Sequence, residues 1–124
     1  MEEKDDFEEE WLITSIADLQ NAPRDASGNL LLNNANLEDA DLNGAHFEGA
    51  HLKGASFSGA KLKGAHFEGA HLQEVVFLES KLKGAHFEGA HLEYADFQEA
   101  NLQDAHFEGA DLNNTQFALS LIHI

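Results

Sequence analysis

The string HFEGA begins at His46 and returns unchanged at His66, His86 and His106, each copy 20 residues after the last. Between copies the chain keeps a five-residue beat of a small residue, a polar residue, Leu or Phe, and two further residues that are mostly polar or Gly. Seventeen apolar centres run in steps of five from Leu37 to Phe117. A period of five matches neither the 2 of a strand nor the 3.6 of a helix. So short and strict a repeat points to stacked units, each able to bury its apolar face only against its neighbours.

Four pentapeptides make 20 residues, and the longest internal identity has the same spacing: KLKGAHFEGAHL occupies 61–72 and again 81–92. The spacing predicts a square coil with one pentapeptide per side, successive coils stacking about 4.8 Å apart. The centre and the small residue two before it point inward, and the other three point out. Phe47, Phe67, Phe87 and Phe107 then share one side, with Leu37, Phe57, Phe77, Phe97 and Phe117 across the core. Leu centres fill the remaining two sides. Rings at this spacing gain about 0.5–1.5 kcal/mol from stacking beyond their burial.

This pattern resembles the pentapeptide-repeat family, whose motif is Ala, Asp or Asn, Leu and two variable residues. ANLED at 35–39, ADLNG at 40–44, ANLQD at 100–104 and ADLNN at 110–114 follow it closely, and the resemblance covers about three quarters of the chain. It implies an all-β fold, a right-handed quadrilateral β-helix, here a solenoid of about four and a half coils. It also implies a non-enzymatic protein, since some members copy the shape and charge of B-form DNA and bind type II topoisomerases while most have no assigned activity. The chain departs from the motif in carrying His or Lys before many of its centres.

Three domains are expected. Residues 1–29 form an acidic arm with a short helix over Phe7–Leu19, ended by Pro23, which caps the open end of the coil and uses Trp11 in that cap. Residues 30–119 are the repeat. Residues 120–124 are an apolar tail, read as a truncated coil, as non-native residues, or as an end-to-end contact between two chains. Monomer and end-to-end homodimer both stay open.

The chain has no cysteine, which removes disulfides and thiolate chemistry. Its net charge of −16 argues against direct nucleic-acid binding. No run approaches the roughly 18 apolar residues of a membrane span, and the acidic N-terminus is unlike a secretory leader. These features place the chain in the cytoplasm.

On the outer surface, His46, His66, His86 and His106 form one ladder and Glu48, Glu68, Glu88 and Glu108 another, with His51, His71 and His91 on the adjoining side. Ladder neighbours about 4.8 Å apart on a flat wall do not converge as a structural zinc site requires, so neither metal nor cofactor is expected. No serine nucleophile or water-excluding pocket accompanies the His and Glu residues, so no enzyme is expected either. The repeat breaks at LQEVVFLESKL, where Val76 and Leu78 project outward beside Phe77. These two, with the four ladder glutamates, are the candidate partner contacts. Lys53, Lys61, Lys63, Lys81 and Lys83 form a basic patch on the Leu-centred sides.

The function read from this is a structural or protein-interaction module with a protein partner. The alternative is a DNA mimic that binds a type II topoisomerase such as DNA gyrase. Against the alternative, the rod is only about 20 Å long at one coil per 4.8 Å, the lysines interrupt the acidic field, and much of the charge lies in the arm. Stacked glutamates are expected to have raised pKa values, as are the histidines beside them, making the fold more stable near pH 6 than near pH 8.

Overall fold

The computed structural model describes residues 12–122. Its backbone is built almost wholly of turns. Each pentapeptide ends in a tight turn closed by the next small residue, as where Ala45 N–H donates to the Leu42 carbonyl at 3.0 Å and Ala65 N–H to that of Leu62 at 3.0 Å. The residue before the small position has φ between 58° and 74° throughout the repeat, whether it is Gly44, Gly64, Glu79 or Tyr94. A single positive φ at the third turn position is the type II pattern, which explains the glycines of HFEGA.

Between turns each side retains one residue that pairs with its counterpart 20 positions on. Asp41 bridges Lys61, which bridges Lys81, which bridges Asn101, and the same parallel pairing joins His46 to His66, His86 and His106. Lys61 shows how the amides are used: its N–H donates up to the Ala40 carbonyl at 2.9 Å, and its own carbonyl accepts from Leu42 N–H at 2.7 Å. Turn residues add a second rung, with Gly44 N–H on the Lys63 carbonyl at 2.8 Å. The amide after the centre has no such rung. At Gln98 and Gln103 it donates instead to the Asp or Asn at the polar position of its own pentapeptide, and at Lys53 and Lys63 to the Asn that follows the centre one tier earlier.

The expected fold class is corrected here. Among the described residues there is no β-strand, only isolated bridges, so the all-β quadrilateral β-helix solenoid is not what the chain forms. The reason lies in the pentapeptide itself. Its turn interrupts the extended backbone on every side, leaving a single bridging residue where a strand needs a consecutive run. What remains is a stack of 20-residue tiers held by isolated bridges, turns and side-chain rungs.

The core is a column of the apolar centres and small residues. Phe47, Phe57, Phe67, Phe77, Phe87 and Phe97 are wholly buried, as are Leu42, Leu62, Leu82 and Leu102. Rings 20 apart stack at 4.9–5.3 Å, and rings ten apart meet edge-to-face at 5.5–6.1 Å across the axis. Val75 replaces the usual alanine without leaving the core. Among the described residues Ser80 is the one buried polar residue, and its hydroxyl donates to the Phe77 carbonyl at 2.7 Å.

At the N-terminal side, residues 12–22 lie against the first tier. Leu12 and Ser15 bridge Asn36 and Asp41, and Ile13, Leu19 and Ala22 are buried. The helix is shorter than expected: α1 spans Ile16–Leu19. The Thr14 and Ser15 amides both donate to Asp18, and the Thr14 bond leads in drawing its carboxyl below the usual range. Phe7 and Trp11 lie outside the described residues. At the other end the column opens: Phe107 and Phe117 are only partly buried, and Leu112, Leu119, Leu121 and Ile122 are exposed.

Candidate protein-binding wall

The backbone that stacks the phenylalanines inside stacks the histidines outside. His46, His66, His86 and His106 lie with ring centroids 4.7–4.8 Å apart and planes within 5°. His51, His71 and His91 form a second stack at 5.0–5.1 Å. Each HFEGA copy turns its His and Glu toward one another over the inward Phe. Nδ1 and Oε2 are 3.0 Å apart at His46–Glu48, 3.2 Å at His66–Glu68, 3.3 Å at His86–Glu88 and 3.8 Å at His106–Glu108. Residues two apart that flank an inward residue share a face, so the i,i+2 spacing of His and Glu was a readable signal for this pairing. His51 reaches back instead to Asp25, at 3.0 Å.

The electrostatics differ from expectation. Burial pushes the Glu48 carboxyl up, but the His46 hydrogen bond, Glu48's own amide and the nearby His46 and His66 charges outweigh it, and the pKa falls. In Glu88, burial again acts upward and is outweighed by its own amide and by His86 and His106. The expected rise of the stacked glutamates is therefore corrected for these two. A carboxylate beside an imidazole gains more from it than it loses to another carboxylate one tier away. His71, pressed by burial first and then by His51 and His91, is lowered.

Val76 sits in register with Ser56 above and Asp96 below, and Val76 and Leu78 are both half-buried. Their side carries Phe77, which meets Phe67 edge-on across the axis. The two apolar residues and the glutamate ladder thus occupy opposite walls and do not form one patch. Tyr94, which no repeat position singles out in the sequence, occupies a turn corner and is 63% exposed. Lys61, Lys63, Lys81 and Lys83 line an open groove with Glu79 and Glu99. Among the described residues two groups of possible ligands lie close enough to share a metal ion, His46–Glu48–His66 and His86–Glu88–His106. No helix among the described residues is long and apolar enough to cross a membrane.

A stack of turn-built pentapeptide tiers defines a known class of repeat protein. The family model for pentapeptide repeats matches residues 31–69 in eight copies, and that for the pentapeptide repeat region matches 60–123. The chain belongs to the pentapeptide-repeat family. Among solved structures it is similar to the pentapeptide repeat protein Rfr23 of the cyanobacterium Cyanothece 51142, with 20% identity, 91% of this chain and 83% of that one covered, and a TM-score of 0.62. A pentapeptide repeat protein of Nostoc PCC 7120 gives 26% identity, coverage of 71% and 84%, and a TM-score of 0.61. Trypsin-treated QnrB1, a plasmid-mediated fluoroquinolone resistance protein, gives 21% identity, coverage of 72% and 61%, and a TM-score of 0.46, too low to carry its function across. No curated protein matches significantly.

Proposed function

We propose that this chain is a non-catalytic protein-interaction module that binds its partner through the flat outer walls of the stack. The observation that carries this reading is the HFEGA wall, where backbone register holds four His–Glu pairs in a line. Carboxylates already held by a neighbouring imidazole lose less side-chain freedom on binding, which favours recognition of a partner with complementary, regularly spaced groups. The glutamates Glu48, Glu68, Glu88 and Glu108 are the contacts this reading uses first. Val76 and Leu78, half-buried on the far wall, would serve a separate contact.

A second reading, a DNA mimic acting on a type II topoisomerase, draws on the net charge of −16 and on acidic corners such as Glu79 and Glu99, which lie 20 residues apart. The four lysines on the neighbouring wall work against it. A pull-down from cell extract, run beside a gyrase supercoiling assay, separates the two. The interaction module predicts a partner captured by the wild type and lost when the four ladder glutamates become Gln, with supercoiling unaffected. Inhibition of supercoiling by the wild type and not by that variant would establish the mimic instead. A partner held equally by both proteins would show that binding does not use the HFEGA glutamates.

A further inference from the structure

We propose that His86, Glu88 and His106 form a binding site for a divalent transition ion of the zinc class, and that His46, Glu48 and His66 repeat it two tiers away. Ladder spacing alone argues against this, because imidazoles 4.7 Å apart are too widely separated to be adjacent ligands of one ion. The carboxylate within each HFEGA copy changes the geometry. Zinc–ligand bonds of about 2.0–2.2 Å in a tetrahedron place neighbouring ligand atoms about 3.3–3.5 Å apart. The Nδ1–Oε2 separations of 3.0 Å at His46–Glu48 and 3.3 Å at His86–Glu88 are already close to that. Each pair is a ready N,O chelate.

The third ligand comes from the next tier. In both groups the three ligand atoms lie within 4.8 Å of one another. One histidine of each group is well exposed, His46 at 69% and His106 at 44% of its side chain. In the second group that ring is the third ligand itself; in the first the third ligand is His66, 30% exposed, and the exposed His46 can shift toward it, a movement of roughly an ångström in each case. The wall is open, so water fills the fourth position. Imidazole with carboxylate suits zinc, nickel or copper and not magnesium.

Two further features favour a cation. Glu88 Oε1, like Glu68 Oε1 on the same ladder, is buried without a hydrogen-bond partner, so this carboxylate is only partly compensated by the protein. The chain's net charge of −16 draws cations to the surface. The register also fixes the stoichiometry. His66 and His86 belong to different groups, so four His–Glu pairs hold two ions and not three.

The site shares Glu48 and Glu88 with the partner-binding wall but requires no partner, and it is tested on the full chain alone. Isothermal titration with zinc chloride at neutral pH should show two saturable sites. The His86→Gln, His106→Gln variant should keep one, and Gln at His46, His66, His86 and His106 together should abolish both. Gln at His51, His71 and His91 should leave both in place. Should the fourfold variant fail to fold, the Glu48→Gln, Glu88→Gln pair supplies the second test, with affinity falling about tenfold or more at each site as one charged ligand is lost. Cobalt substitution should give the visible absorption of a four-coordinate ion, and magnesium chloride should give no heat. Absence of saturable zinc uptake, or uptake unchanged in the fourfold variant, overturns the proposal.

Discussion

Inside the stack, Phe47 and Phe67 lie 5.0 Å apart with planes 6° from parallel, while on the same side outside it His46 and His66 lie 4.7 Å apart and 5° from parallel. One backbone repeat sets both ladders. Their energetic meaning differs because one is dry and the other wet. The Phe67 ring loses all contact with water and touches rings above, below and across the axis. An imidazole on the wall keeps part of its surface in water and takes a carboxylate partner at 3.2 Å or so. The inner ladder holds the molecule together, and the outer one is left free for chemistry and recognition.

The largest effect expected is on the inner ladder. Phe67→Ala should lower unfolding free energy by about 3–5 kcal/mol, read from urea midpoints. A loss below 1 kcal/mol, roughly, would mean the column can collapse around the gap. Phe117→Ala removes a ring from the same kind of ladder where it is only partly buried, and should cost about 1–2 kcal/mol. Equal losses at the two positions would show that burial does not grade the column.

Gly64→Ala tests the turn that spaces both ladders. An added Cβ would meet nothing within 4 Å, so the expected cost of about 1 kcal/mol comes from the backbone, at φ +67°. His66→Ala should change stability by no more than about 0.5 kcal/mol. A loss comparable with Phe117→Ala would erase the distinction between the ladders.

The smallest effect concerns pH. Glu48 and Glu88 have lowered folded pKa values, so their contribution is present above the ordinary Glu value and is lost as pH falls through the folded one. His71 is also lowered. Below its ordinary value near 6.5 the unfolded chain takes up a proton that the folded chain refuses, so stability again falls with pH. Denaturant midpoints in metal-free buffer should therefore be higher near pH 7.5 than near pH 5.5, the reverse of the trend expected from repelling glutamates. Midpoints that rise on acidification would show that protonated wall histidines outweigh these groups.

The amino-acid sequence by itself determined the 20-residue register, the sorting of Phe and Leu into ladders and the outward placement of His, Glu and Lys, because a five-residue period leaves each position one direction to face. It determined the family for the same reason. It did not show that each side keeps only one bridging residue. That depends on turn dihedrals such as the positive φ of Glu79 and Tyr94, residues with no marked preference for it. Nor did it show that Val76 and Leu78 are half-buried, or how closely each HFEGA histidine brings its Nδ1 to the glutamate two residues on. Periodicity fixes where a side chain leaves the backbone. Where its far end comes to rest is set by neighbours one tier away, and only the folded stack supplies those.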